Sequence, residues 1–200
     1  MELISERASA QRLAVWGLSL SAAQQLLRTG VAGQPLITPG VRLYDVRRIT
    51  DLVERPEISA GECTALFPDG CLVARLSRDR SADATASWPA TIPLLQGPWL
   101  LGPWQYLAVY CWQRLGRDVP LLVSVEGCVI SGAMASGLCP PGESAPAGSV
   151  RFDLGPPGPW LGEVTGRMLR LGRGAPVEMI GALAGHRGDR SGRYDEWARR

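Results

Sequence analysis

Lysine and asparagine are absent, so all 21 basic residues of the 200-residue chain are arginine. The pattern fits arginine-favouring codons of a GC-rich genome and carries no functional signal by itself. Histidine is nearly absent too. The single His186 lies in a polar C-terminal stretch, whereas a Ser-His-Asp or Cys-His arrangement needs a histidine fixed in a packed site. The acidic residues are scattered without the paired pattern of glycoside chemistry, and the glycine-rich run at 155–160 (GPPGPW) lacks the lysine of a phosphate-binding loop. Cysteine is present without a CxxC pair: Cys63, Cys71, Cys111, Cys128 and Cys139 are odd in number and sit in apolar surroundings. Free, mostly buried thiols are expected rather than disulfides or a zinc site. No apolar run approaches the roughly 20 residues of a membrane helix, and no basic segment leads into an apolar core at the N-terminus. The expectations are therefore no enzyme, no cofactor, no metal, no membrane partner and a cytoplasmic setting.

What the chain does contain is ordinary material for a folded protein, 46% hydrophobic and 20% charged. A net charge of +2 is too small to imply a polyanionic partner globally, so any nucleic-acid signal has to be local. Residues 1–56 carry seven arginines against five acids, residues 57–185 nine against eleven, and residues 186–200 five against three. The two ends are mildly basic and the middle mildly acidic.

The N-terminal quarter has the clearest organisation. Residues 7–16 read as a short helix, Gly17-Leu18-Ser19 as a turn, and Ser19 or Ser21 as the cap of a second helix running to Thr29, with Gly30 as its stop. Pro39-Gly40 lies between two short alternating stretches, a hairpin signal. Residues 45–55 place Val46, Ile49, Leu52 and Val53 on one helical face, and Pro56 ends the run. A turn glycine followed by a capped helix is the layout of a helix-turn-helix, whose second helix enters the major groove. Leu13, Leu18, Ala22, Leu26 and Leu27 supply its core, leaving Ser21, Gln24, Gln25 and Arg28 outward. Glutamine pairs bidentately with adenine, and arginine with guanine or a phosphate. Arg47 and Arg48 on the third helix offer a second phosphate contact.

In this order and spacing the segment resembles the MerR/excisionase family. The matching residues are the turn Gly17-Leu18-Ser19, Arg28-Thr29-Gly30 at the end of the second helix, Arg42-Leu43-Tyr44 in the hairpin, and the short helix that follows. The resemblance implies a winged helix-turn-helix in which Arg42 touches the phosphate backbone and Tyr44 packs the wing onto the body. It covers about a quarter of the chain and departs from the family at two points. The start of the second helix reads Ala22-Ala23-Gln24-Gln25-Leu26 where the family carries an arginine, and no long heptad helix follows residue 55.

The remaining chain contains an internal echo. Residues 102–117 (GPWQYLAVYCWQRLGR) and 158–173 (GPWLGEVTGRMLRLGR) share seven identical positions. Each is followed by a proline, Pro120 or Pro176, that opens an expected strand at 121–130 or 177–183. Two equal helix–strand units are expected on the same side of one sheet, related by a pseudo-twofold axis. Residues 149–154 supply the strand before the second helix, and residues 71–77 or 91–95 the one before the first. In outline this resembles the GyrI-like effector-binding domain, which implies a ligand groove lined by aromatics, here Trp104, Tyr106, Tyr110 and Trp160, with Glu126 selecting cationic ligands.

The expected fold class is thus α+β: a winged helix-turn-helix at 1–56, an α+β effector-binding or dimerisation domain with a helix–strand duplication at 57–185, and a flexible Arg/Gly-rich tail at 186–200. The expected function is sequence-specific binding of duplex DNA in the nucleoid by a homodimeric transcriptional regulator, with a small-molecule effector as a further partner. The alternative is an interaction or assembly protein using a helix-turn-helix-like fold.

Overall fold

Four helices start where a short polar side chain can take up a backbone N–H of the first turn. Ser5 Oγ accepts from Ala8 N at 3.3 Å, Ser19 Oγ from Ala22 N at 3.2 Å, Asp45 Oδ1 from Arg47 N at 2.9 Å, and Ser59 Oγ from Glu62 N at 3.2 Å. The computed structural model describes residues 2–77, 83–140, 145–170 and 176–181; the expected tail at 186–200 lies outside them. The architecture is mixed α and β.

The N-terminal unit runs β1 (Leu3–Ser5), α1 (Glu6–Arg12), a 3-10 turn (Leu13–Trp16), α2 (Leu20–Arg28), β2 (Leu36–Thr38), β3 (Val41–Asp45) and α3 (Val46–Val53). The expected first helix is therefore split, its last turn tightening to 3-10 geometry before Gly17, whose φ of +73° suits glycine. Gly40, at φ +80°, turns the β2–β3 hairpin. Strand β1 was not legible from the sequence. It pairs antiparallel with β3 and completes a three-stranded sheet in the order β1-β3-β2. Leu13, Leu26, Leu27, Tyr44, Ile49 and Leu52 are fully buried where the three helices meet this sheet.

The second unit is a six-stranded sheet with helices on both faces. Its elements are α4 (Ala60–Leu66), β4 (Cys71–Arg75), α5 (Trp88–Leu95), β5 (Trp99–Leu100), α6 (Pro103–Arg114), β6 (Val119–Val125), β7 (Cys128–Cys139), β8 (Ser149–Gly155), α7 (Trp160–Val164) and β9 (Val177–Ile180). The strand order is β5-β8-β7-β6-β4-β9, with β4 and β6 parallel and the other neighbours antiparallel. Side-chain alternation divides the sheet cleanly. Cys71, Val73 and Leu122 join Cys63 and Phe67 beside α4 and Val164 of α7. Leu72, Ala74, Leu121 and Val123 join Leu95, Trp99, Val109 and Trp112 beneath α5 and α6. That second cluster is continuous with the core of the N-terminal unit.

This division corrects the expected duplication. The two GPW segments contribute to opposite faces of the sheet, and their helices have twelve and five residues. Aligned position by position, Gly162 and Gly166 stand where the first segment has Tyr106 and Tyr110. Gly166 takes a φ of +75° and ends the second helix early. The following strands differ as well: β6 lies inside the sheet, and β9 is an edge strand antiparallel to β4. Residues 91–95, one of the two options for a strand, belong to α5. The stretch at 57–70, which reads from the sequence as a connection with a short strand, contains α4, which Ser59 and Glu62 close with a reciprocal capping box.

Residues released by the shortened α7 join the two units. Gly166 N donates to Val129 O, Val129 N to Arg167 O, Leu169 N to Gly127 O and Ile58 N to Met168 O, all within 3.0 Å. Arg55 Nη1 donates to Thr165 O at 2.8 Å. Arg167 reaches Pro56 O at 2.9 Å, Glu57 O at 3.1 Å and Glu62 Oε1 at 2.9 Å, and Arg170 forks onto Glu57. Hydrogen bonding from Arg167, then from the Ser59 backbone N–H, holds the Glu62 carboxyl down at about 2, and the bond from Arg170 lowers Glu57. A depressed folded-state value stabilises the fold above the ordinary carboxylate value and ceases to do so as pH falls toward 2. Urea midpoints are expected to fall across the pH interval from 4.5 to 2, and to fall less steeply in Glu62→Gln. Parallel profiles for the two proteins would show that this strap carries no acid sensitivity.

Candidate nucleic-acid interface

Helix α2 buries Ala22, Ala23, Leu26 and Leu27 along one side. The spacing of 100° per residue turns Ser21 and Arg28 to the opposite side, where both are exposed, and leaves Gln24 and Gln25 half-buried on its flanks. Ser21 Oγ lies 3.1 Å from Ser19 Oγ. Among the described residues the buried side-chain oxygen of Gln25 has no hydrogen-bond partner, so its carboxamide has to turn before that oxygen can accept from a base. Gln24 and Gln25 therefore border the exposed strip rather than form its centre.

Arg28 and Arg42 converge on one carboxylate that sequence reasoning missed. Glu6, at the first turn of α1, accepts from Arg28 Nε at 3.0 Å and lies 2.8 Å from its Nη2; its other oxygen lies 3.9 Å from Arg42 Nε. Both guanidinium side chains remain about half exposed. Glu6 is thus a local counter-ion shared by the end of α2 and the hairpin strand β3. Its position after Ser5 reads from sequence only as a first-turn acid favourable to the helix dipole. Its partners lie 22 and 36 residues away along the chain, and no local pattern points to them. Tyr44, next but one to Arg42, is fully buried, and burial together with the nearby Glu6 charge raises its hydroxyl pKa.

The arginines of α3 differ from one another. Arg47 and Arg48 are both exposed, and Arg48 also lies across Gly33, where a Cβ would overlap its guanidinium. Gly33 sits at φ +85° and leaves the room that Arg48 uses. The hairpin adds an apolar surface beside Arg42: Leu36, Ile37 and Val41 are all exposed, Ile37 at 71%.

The five residues expected to line a ligand groove fall in three places. Trp104, Tyr106 and Tyr110 are exposed along α6. Trp160 packs edge-on against Phe67, ring centroids 5.4 Å apart, and covers the backbone of Gly132 on the other face of the sheet. Glu126 occupies the β6–β7 turn with an unusual φ of +51°. It borders a cavity of about 740 Å³ between that turn, the C-terminal end of β4 and the Val15–Leu18 turn of the N-terminal unit.

No protein-family model, curated protein or solved structure matches this chain. Among the described residues no helix is long and apolar enough to cross a membrane.

Proposed function

We propose that residues 2–56 form a winged helix-turn-helix that binds duplex DNA sequence-specifically, and that the rest of the chain assembles or regulates it. The observation that carries this reading is the pairing of Arg28 and Arg42 by Glu6. It brings an exposed side chain of α2 and one of the β2–β3 hairpin to the same carboxylate, the relation a recognition helix and a wing need on adjoining groove and backbone. Ser21, Gln24 and Gln25 read base edges, Arg28 reads guanine or phosphate, and Arg42, Arg47 and Arg48 hold the backbone. The cavity beside Glu126 is also lined by Val15, Trp16, Gly17 and Leu18, so an effector bound there would touch the turn between the first two helices.

Selection of bound sequences from random duplex DNA tests the reading. A defined motif is expected. On that motif Gln24→Ala and Gln25→Ala should each lose affinity by roughly 1–3 kcal/mol, with little loss on random DNA. Equal losses on both would remove these residues as readers. A second reading, a protein-binding module, is favoured by exposed Leu36, Ile37 and Val41 on the hairpin. The absence of any salt-dependent affinity for DNA would select it.

A further inference from the structure

We propose that a second copy of this chain packs against the outer face of α6, giving a twofold dimer. The inference does not depend on DNA binding. Nine of the twelve residues of α6 are apolar or aromatic, and outward of its buried side only Arg114 and Gln113 are polar. Val109 and Trp112 are buried against the sheet, yet Tyr106, Leu107, Tyr110 and Cys111 on the opposite side are exposed, with Leu100 just before the helix and Leu115 just after it. Leu115 is 70% exposed and Leu107 and Tyr110 nearly half. With Trp104 at the helix start, these side chains leave roughly 700 Å² uncovered, on the scale of aromatic side chains that bury 150–250 Å² each. That exceeds the largest patch of a typical monomer, about 300–600 Å². It approaches the ~800 Å² per partner of a standard stable interface.

The charge of this face suits a copy of itself. Arg114 is the single charged residue of α6. In an isologous antiparallel pairing of two α6 helices centred between Leu107 and Cys111, the two Arg114 residues lie at opposite ends. At a rise of 1.5 Å per residue they are about 15 Å apart along the axis, beyond the ~8 Å screening length at physiological salt. The same pairing sets the two Cys111 residues about 6 Å apart along the axis, on neighbouring helices.

Sedimentation without DNA tests this directly. The wild-type protein is expected at twice its chain mass of 21.5 kDa. In a Cys139→Ser background, which removes the other exposed thiol, a short bis-maleimide should join two chains through Cys111, and Cys111→Ser should abolish the product. Leu107→Asp with Tyr110→Asp should sediment as a monomer with an unchanged circular dichroism spectrum, because both side chains lie outside the core. Leu36→Asp with Ile37→Asp on the hairpin should stay dimeric. A wild-type monomer at about 100 μM overturns the proposal, as does a dimer that survives the α6 changes or that yields no Cys111 cross-link. The cross-link stands as a test even if the double aspartate variant fails to fold.

Discussion

Removing both guanidinium groups at the candidate interface, Arg28→Ala with Arg42→Ala, is expected to weaken binding to duplex DNA about thirtyfold near physiological salt. The slope of log affinity against log salt should become shallower by about two, since each arginine that neutralises a phosphate releases about one counterion. Arg42→Ala alone should lower the slope by about one and act alike on all sequences. Glu6→Gln provides the opposite sign. Its carboxylate now competes with phosphate for both arginines, so removing the charge should tighten binding to random DNA. Fluorescence anisotropy across a salt series measures all three. Unchanged slopes in the double variant would mean that the face formed by α2 and β3 does not meet the DNA backbone.

Trp112→Ala is expected to cost about 3–5 kcal/mol of stability, the range for truncating a buried aromatic. Against a total of about 5–15 kcal/mol for a folded domain, that is a large share. Trp112 is 6% exposed in the main cluster, beneath α6 and near the Gly70–Gly181 contact that closes the edge of the sheet. Its loss opens a cavity between helix and strands that the close-packed β4 and β6 cannot fill. Urea denaturation should show a lower midpoint at an unchanged m-value. Trp112→Phe should recover most of the difference. A cost below about 1 kcal/mol for the alanine variant would mean that α6 is not seated on the sheet by this ring.

The N-terminal elements were legible because their signals are local. Ser19 before an apolar-periodic run, glycines at 17, 30 and 40, and Asp45 before Ile49 and Leu52 each act within one or two turns of chain. Their elements fall within a few residues of the expected bounds. The capping box at Ser59 and Glu62 was equally local and announces α4, although the stretch reads more readily as a connection. Strand β1 carries no such mark, since three residues gain their identity only by pairing with β3, some 40 residues on. The GPW echo misled for a related reason. Seven shared positions fix how the segments begin and end, but the two glycines replacing Tyr106 and Tyr110 decide how far the helix runs.

By itself the sequence determined where the N-terminal unit turns and where its helices and hairpin lie, because capping, glycine conformation and apolar period depend on neighbours a few residues away. It also determined that all basic groups are arginines. Tertiary structure alone decided that Arg28 and Arg42 share Glu6, that Trp112 is core while Tyr110 of the same helix is surface, and that Trp160 covers Gly132 instead of facing Trp104. Each of these is a contact between residues far apart in sequence, set by which face of a sheet or helix meets another. The face is settled by the whole packing of the core, and no single segment encodes it.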